Sequence, residues 1–338
     1  MSGEYPANAE YRFFAISHIG RSHAKTKKVC QDNSGAAQSS DRKMKFIAVS
    51  DGHGGNNYFR SHEGSRFAVE AAQACMEEFY ARVTPEMLEQ MESPSQQSVY
   101  FGDMAKTLVS KWYDRVQKDL EGFPFSEKEL SPLSEHSAQQ YHAGERAERA
   151  YGATLVAAVV TPKYWFAIQL GDGSCAAVFE DGTVEFPIGD DPFVQREGTV
   201  TSSLCDREAH LRFRHYFSQN GRFPVGLFVA TDGVENCFPL STMKTWLEKI
   251  YRSITQVFLE SDFNAAKADL LDYMKRELSK SGDDISIAGM VNVHGKLDSL
   301  PESSPQPPAE PEASKLEEKS PPPLEDSVSE EQDEEQDK

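Results

Sequence analysis

The stretch "FIAVSDGHGGNNYF", residues Phe46–Phe59, decides the fold of this chain. Its first four residues are apolar and predict a buried β-strand, which we extend over Lys45–Ser50. The glycines that follow stop the strand, because they permit backbone turns that other residues resist. The pattern therefore presents an acid, Asp51, and an imidazole, His53, at the end of a buried strand.

Further aspartates flank apolar segments in the same way. Asp172 follows "YWFAIQLG", Asp232 follows "GLFVAT", and the pair Asp283-Asp284 precedes "ISIAGMV". A single Asp-Gly pair usually only forms a turn, and for each pair taken alone we favour that interpretation. Together, however, these acids form a set of oxygen ligands without cysteine or histidine partners, which hard divalent cations prefer. The set favours Mg²⁺ or Mn²⁺ over zinc.

The net charge of −19 is unevenly distributed along the 338 residues. The segment 297–338 holds 14 Asp and Glu residues against three lysines, which places −11 of the charge there and leaves −8 on residues 1–296. Neither part carries the excess of basic residues that is typical of proteins that bind nucleic acid or an anionic membrane, so we expect neither as a partner.

The cysteines and the apolar segments indicate the cellular compartment. The five cysteines lie far apart and include no CxxC pair, which argues against a zinc knuckle or a disulfide framework. No apolar segment approaches the ~18 residues of a membrane span. We therefore expect a soluble protein in a reducing compartment, the cytoplasm.

Composition divides the chain into two regions. Residues 1–296 mix apolar and polar segments and predict one folded domain. Residues 297–338 are rich in Pro, Ser and Glu and nearly free of aromatic residues, so we expect this acidic tail to be disordered. A solubilising extension is the favoured interpretation of the tail, and docking onto a partner or back onto the domain is the alternative.

Periodicity and turn residues predict a mixed α+β domain. The predicted strands are Arg12–Ile19, Lys45–Ser50, Thr154–Thr161, Tyr164–Leu170, Ala176–Glu180, Leu227–Thr231 and Ile285–Val293. The predicted helices are Gly64–Val83, Met104–Leu120, Thr242–Phe258 and Asn264–Lys280. Neighbouring strands without a helix between them indicate antiparallel sheets with helices packed outside. The polar segments 121–150 and 185–222 are predicted to be irregular and close to a site.

Six blocks in a fixed order give the chain a family resemblance. They are "SHIGRSHAKTKKVCQDNSG", "VSDGHGG", "GATL", "QLGDGS", "ATDGVEN" and "GDDISIA". With these blocks, the region from about Phe13 to Val293 resembles the metal-dependent, type 2C serine/threonine protein phosphatases, and it is most similar to their divergent bacterial branch. The resemblance implies a four-layer αββα sandwich, in which helices flank two central antiparallel β-sheets.

The resemblance also implies roles for particular residues. Two metal ions, Mn²⁺ or Mg²⁺, would be bridged by Asp51 and bound by the Gly52 carbonyl, Asp232 and Asp283, and water held between them would attack the phosphorus in line. Asp172 would contribute to a third metal site. The catalytic residues would be His53, as general acid for the leaving serine or threonine oxygen, and Asp32, the second member of the acidic pair that the family carries.

Three positions depart from the family pattern. Gln31 replaces the first acid of the acidic pair, so this metal-site neighbour can accept a hydrogen bond but contributes no charge. Lys27 stands where the family has a phosphate-binding arginine; it can bind phosphate only as a point charge, and Arg21, Lys25 and Lys28 are nearby alternatives. Asn236 stands where the family has a further acid of the third metal site.

Two functions from different classes follow. The first is an active metal-dependent phosphatase of phosphoserine and phosphothreonine in proteins, with a phosphoprotein as its substrate. The second is a weakly active or inactive pseudophosphatase that binds a phosphoprotein or another partner, motivated by Gln31 and Lys27. The retained carboxylates favour the enzyme, because a binding module has no need to keep several like charges together.

Overall fold

A computed structural model describes residues 5–6, 8–189, 191–192 and 201–298. Ten strands lie within these residues and form two five-stranded sheets in which every strand pair is antiparallel. The first sheet has the order β1-β10-β9-β6-β7 and the second the order β2-β3-β4-β5-β8. The strands are β1 (Tyr11–His18), β2 (Asn33–Gln38), β3 (Lys45–Ser50), β4 (Leu155–Val160), β5 (Trp165–Leu170), β6 (Ser174–Val178), β7 (Val184–Glu185), β8 (Arg214–Ser218), β9 (Gly226–Ala230) and β10 (Ile285–Asn292).

Helices cover the outer face of each sheet. The α-helices are α1 (Arg21–Thr26), α2 (Ser61–Arg82), α3 (Pro85–Gln90), α4 (Pro94–Gly122), α5 (Glu127–Leu130), α6 (Glu135–His142), α7 (Asp232–Glu235), α8 (Met243–Glu260) and α9 (Phe263–Arg276). Short 3-10 helices span Asn56–Tyr58, Ala147–Tyr151, Ala209–Leu211 and Leu278–Ser281.

Three apolar layers hold the sandwich together, and alternation along the strands creates them. On β3, Phe46 and Ala48 point to the layer under α2 and α4, whereas Ile47 and Val49 point to the layer between the sheets. A third layer joins the first sheet to α8 and α9. The predicted four-layer αββα architecture is confirmed.

The seven predicted strands and four predicted long helices are present, with ends shifted by a few residues and α4 extended ten residues towards its N-terminus. Strands β2, β7 and β8 were not predicted. The sequence of β2, "NSGAAQ", contains small and polar residues in place of the branched residues that mark a strand. The prediction of an irregular 121–150 segment is wrong in part, because α5 and α6 lie within it, and β8 lies within 185–222.

The acidic tail lies outside the described residues except for its first two positions. Leu297 packs against the core layer under α8 and α9, and the Asp298 amide donates to the Glu180 carbonyl at 2.7 Å. In the described part of the chain, no helix is both long enough and apolar enough to cross a membrane.

Candidate active site

The strand register brings the predicted acids to one end of the sandwich. In the second sheet, Ser50 at the end of β3 pairs with Asn33 at the start of β2, so Asp51 and Asp32 lie at the same edge. In the first sheet, Ala230 at the end of β9 pairs with both Ser174 and Ile287. The segments that carry the remaining acids therefore begin or end at this edge as well.

Three carboxylates meet there. One oxygen from each of Asp51, Asp172 and Asp232 lies within 4.8 Å of the other two. No lysine or arginine in the described part of the chain forms an ion pair with any of the three. Carboxylate oxygens without a cationic partner fit a hard divalent cation, so the residues present suit the Mg²⁺ or Mn²⁺ that the sequence predicts.

The electrostatic cost of this arrangement appears in the acid pKa values. Burial, followed by the negative charges of Asp172 and Asp283, raises the pKa of Asp232 to about 8. Burial and the nearby carboxylates Asp32 and Asp232 also raise the pKa of Asp51 well above its usual range. Without a cation, the folded protein therefore retains protons on acids that are ionised in the unfolded chain.

Asp32 is the most deeply buried acid of the group. Its Oδ2 accepts a hydrogen bond from Thr231 Oγ1 at 2.7 Å, and Thr231 Oγ1 in turn accepts from the Ser286 amide at 2.9 Å. Its Oδ1 is buried and accepts no hydrogen bond from an N–H or hydroxyl group of the described residues, although the Asp32 carboxyl lies within hydrogen-bonding reach of the Asp51 carboxyl. Burial raises the pKa of Asp32 to about 7. A carboxylate oxygen in this position beside the acid cluster is suited to hold a water molecule or a proton at the reaction centre.

Asp283 lies outside the group of three, and Asn236 links it to that group. Asn236 Nδ2 lies 3.1 Å from Asp232 Oδ2 and 3.4 Å from Asp283 Oδ2. An aspartate at this position would add a third negative charge where the amide donates a hydrogen bond. The sequence identified Asn236 only as a missing third-site ligand, and the structure shows it holding two acids towards each other.

Gln31 forms hydrogen bonds within the site through both its side chain and its backbone carbonyl. Its Nε2 donates to the His53 carbonyl at 2.9 Å and to Ser61 Oγ at 2.6 Å. Since a carbonyl can only accept, the amide nitrogen must face His53. The Gln31 backbone carbonyl accepts from the Gly52 amide at 3.1 Å and from Ser65 Oγ at 2.6 Å. The family resemblance implies that Gln31 lies next to a metal site and contributes no charge there. In the structure, Gln31 supports the loop that carries Asp51, Gly52 and His53.

Glycine is required at position 52 by a close approach of backbone atoms. A Cβ atom at Gly52 would lie 2.6 Å from both the Gln31 and Ser61 carbonyl oxygens. The Gly52 backbone also pairs with Ala153 in an isolated β-bridge. This packing fixes the peptide that follows Asp51 at the edge of the acid cluster.

His53 follows directly and is held by its backbone and its ring. Its amide donates to the Gly152 carbonyl at 3.0 Å, and its imidazole packs edge-on against Tyr58 with 5.1 Å between ring centroids. Burial lowers the pKa of His53 to about 4, which favours the neutral imidazole in the protein without ligands.

The turn that carries Asp172 is held from two sides. The Asp172 amide donates to Thr201 Oγ1 at 3.1 Å, and Arg214 Nη2 donates to the Gly171 carbonyl at 2.5 Å. Gly171 has a φ of 84°, a conformation that favours glycine. Neither Thr201 nor Arg214 belongs to a recognisable motif, so the sequence did not reveal these supports.

Lys27 and Asp284 lie on the side of the site next to α1. Lys27 follows α1 in a left-handed conformation, with φ 57°, and its side chain is exposed. Asp284 is buried and accepts hydrogen bonds from the backbone amides of Gly20 at 2.8 Å and Gln31 at 2.6 Å. His23 Nδ1 lies 3.0 Å from Asp284 Oδ2. Asp284, which the sequence identified without a role, thus joins the α1 segment to the segment carrying Asp283.

The fold and this site agree with comparisons to known proteins. The sequence matches the protein phosphatase 2C family over residues 19–275, well over half of the chain, and the chain belongs to that family of protein serine/threonine phosphatases. No curated protein matches the sequence.

Among solved structures, a bacterial serine phosphatase superposes with a TM-score of 0.51 at 13% identity, covering 86% of this chain and 100% of that one. The serine/threonine phosphatase Stp1 from Staphylococcus aureus superposes with a TM-score of 0.50 at 14% identity, covering 85% of this chain and 96% of that one. At such identities the likeness concerns the fold alone.

Proposed function

We propose that this chain is a metal-dependent phosphomonoester hydrolase that removes phosphate from phosphoserine and phosphothreonine in proteins. The observation that carries the proposal is the group formed by Asp51, Asp172 and Asp232, whose oxygens lie within 4.8 Å without a neutralising cation among the described residues. Such repulsion destabilises the fold unless cations bind, and it is typical of functional sites. Family membership supplies the class of reaction.

In this proposal, Asp51, the Gly52 carbonyl, Asp232 and Asp283 would hold two divalent ions, Mn²⁺ or Mg²⁺, and Asp172 would contribute to a third site. Bound ions of this kind activate water for in-line attack on phosphorus and neutralise the phosphate oxygens. The buried Oδ1 of Asp32 is suited to accept a hydrogen bond from the attacking water and to take up its proton.

His53 and Lys27 act on the substrate. His53 donates a proton to the leaving serine or threonine oxygen, and the negative phosphate beside it favours the protonated imidazole that burial alone disfavours. Lys27, exposed at the end of α1, attracts the phosphate as a point charge.

The alternative function is that of a pseudophosphatase that binds a phosphoprotein without turnover. It is motivated by Gln31 and Lys27, which stand in place of a glutamate and an arginine. The hydrogen bonds of Gln31 to the His53 loop give the amide a supporting role, and this favours the enzyme.

Hydrolysis of p-nitrophenyl phosphate and of a phosphothreonine peptide in EDTA, Mg²⁺ and Mn²⁺ tests the proposal. We expect turnover that requires a divalent ion and is lost in Asp232→Ala. Asp114→Ala, which removes an exposed carboxylate of α4, is the matched control and should retain full activity. Calorimetric titration that detects no divalent-ion binding to the unaltered chain would contradict the enzyme and favour the pseudophosphatase.

Location and the acidic tail are finer parts of the proposal. All five cysteines are free, which supports a reducing compartment such as the cytoplasm.

The acidic tail has the charge to compete with phosphate for Lys25, Lys27 and Lys28. A chain that ends near Lys296 should then turn over substrate faster at low salt, and equal rates would end this hypothesis.

A further inference from the structure

Seven exposed cations lie on two segments that meet in the fold, and we call them the rim cations. Four belong to the segment 21–28, which contains no acid, and three belong to the segment 275–280, whose only acid is Glu277. The rim cations are Arg21, Lys25, Lys27, Lys28, Lys275, Arg276 and Lys280. They contrast with the rest of the domain, because residues 1–296 as a whole carry a net charge of −8.

Hydrogen bonds join the two segments at the metal-binding edge. The Ser22 amide donates to the Gly282 carbonyl at 3.1 Å, directly before Asp283. Arg21 donates to the Arg276 carbonyl at 3.2 Å and to Ser279 Oγ at 3.3 Å. The six residues of α1 span about 9 Å, so the lysines at its end remain close to this junction. The two segments that carry the rim cations therefore meet beside Asp283.

Most of the positive charge of the rim cations is not neutralised by the protein. Lys25, Lys27 and Lys28 have no ion-pair partner within the described ranges. Lys275 forms an ion pair with Asp272 at 3.9 Å, and Lys280 forms one with Glu277 at 2.6 Å; each acid lies three residues before its lysine. Val29, which follows these lysines, has 57% of its surface exposed. Concentrated like charges next to an exposed apolar side chain suit a peptide that carries several acids.

We propose that the rim cations are a docking surface for an acidic segment of the substrate protein, adjacent in sequence to the phosphorylated residue. The proposal rests on the proposed phosphatase function and specifies its substrate class. Aspartate or glutamate side chains of the substrate pair with Lys25 and Lys28 while the phosphate reaches the acid cluster. Because the pairs are exposed, they act mainly on KM and weaken as salt increases.

Steady-state kinetics with two phosphothreonine peptides test the docking surface. The peptides differ only in flanking residues, which are Asp and Glu in one and Asn and Gln in the other. We expect Lys25→Gln/Lys28→Gln in the full chain to lower kcat/KM for the acidic peptide about fivefold at low salt, through KM, since each exposed pair contributes modestly. Because any attraction of phosphate to these lysines is common to both peptides, the neutral peptide should lose less, so the ratio of the two kcat/KM values should fall; roughly 0.5 M NaCl should remove the preference for the acidic peptide.

The matched control is Lys106→Gln/Lys118→Gln, which removes the same charge from exposed positions of α4, a helix that packs on the other sheet. This control should keep the preference for the acidic peptide. If the control and the rim variant lose the preference equally, net charge is responsible and the proposal is overturned.

A binding experiment separates failure of docking from failure of catalysis. Fluorescence anisotropy of a labelled, unphosphorylated acidic peptide, measured in EDTA, requires no turnover. Binding to the full chain that weakens at least threefold in Lys25→Gln/Lys28→Gln supports the docking surface even if no phosphatase activity is found. Equal binding to both proteins, or no binding at low salt, overturns it.

Discussion

Gln31→Glu tests whether the amide at this position supports the His53 loop. In the structure, Nε2 donates to the His53 carbonyl at 2.9 Å and to Ser61 Oγ at 2.6 Å. A glutamate keeps the size and shape of the side chain but cannot donate when ionised. Ser61 can rotate its hydroxyl to donate to the new carboxylate, whereas the His53 carbonyl then faces a negative oxygen.

The loss is one donated hydrogen bond plus a repulsive contact in a partly buried place. We expect the free energy of unfolding of the metal-free protein to fall by about 2 kcal/mol at pH 7.5, since a buried acceptor left unpaired costs about 1–3 kcal/mol. Chemical unfolding in EDTA measures this change. Gln31→Met, which removes both hydrogen bonds without adding charge, is the control.

The pH dependence distinguishes the two variants. Repulsion from the His53 carbonyl raises the pKa of the introduced glutamate above its unfolded value of about 4.3. A raised acid pKa means that the folded state binds more protons, so this variant is most stable at low pH and loses stability as pH rises through the folded pKa. Its deficit should therefore shrink towards pH 5, where a protonated carboxyl can donate to His53, while that of Gln31→Met persists. Unchanged stability together with tighter Mn²⁺ binding would refute the supporting role and restore the metal-neighbour interpretation.

Three further predictions concern the acid cluster, the proposed general acid His53 and the packing of α2. The metal-free protein should lose roughly 2–5 kcal/mol of its free energy of unfolding as pH rises from about 4 to 8. Asp232→Asn should remove part of this loss, because the raised pKa of Asp232 favours the protonated folded state. Unfolding curves of the variant in EDTA that keep the full loss would contradict this. His53→Ala should slow phosphothreonine-peptide hydrolysis at least tenfold more than that of p-nitrophenyl phosphate, whose leaving group needs no proton, and equal slowing would argue against a general acid. Gly64→Ala should cost about 3 kcal/mol or more, because its Cβ would overlap the Tyr151 carbonyl, whereas Gly102→Ala, with no neighbouring atom, should be neutral or stabilising in the same unfolding assay.

The sequence predicted the strands whose residues alternate between apolar and polar or are apolar throughout. It did not predict strands that depend only on hydrogen bonding to a neighbouring strand. Strand β3 is marked by its apolar residues, whereas β2 consists of small residues that are strand only because each pairs with a residue of β3. Propensity arguments cannot detect such a strand, since its stability comes from a partner distant in sequence. Short helices such as α5 are equally difficult, although the Ser126–Glu129 capping box was readable.

The site shows the same division between local and long-range information. Asp51 and Asp232 were predictable because each follows a strand with a glycine beside it. The role of Thr231 depends on the approach of Asp32, almost 200 residues earlier in the chain, and no local pattern encodes it. The same holds for the support that Arg214 gives to the turn of Asp172. Local motifs identified the candidate catalytic and metal-binding residues, whereas the residues that support them are identified only by tertiary contacts.

The two amides in the site are better explained by charge balance than by loss of catalysis. Asp32, Asp51, Asp172, Asp232 and Asp283 already place five carboxylates at one edge of the sandwich, and burial together with mutual repulsion raises the pKa of several of them. Acids at positions 31 and 236 would bring the total to seven, whereas two divalent ions supply only four positive charges. Each amide instead donates hydrogen bonds: Gln31 to the His53 carbonyl, and Asn236 to Asp232 and Asp283. Two amides at these positions therefore limit the repulsion among the five carboxylates while leaving all five in place.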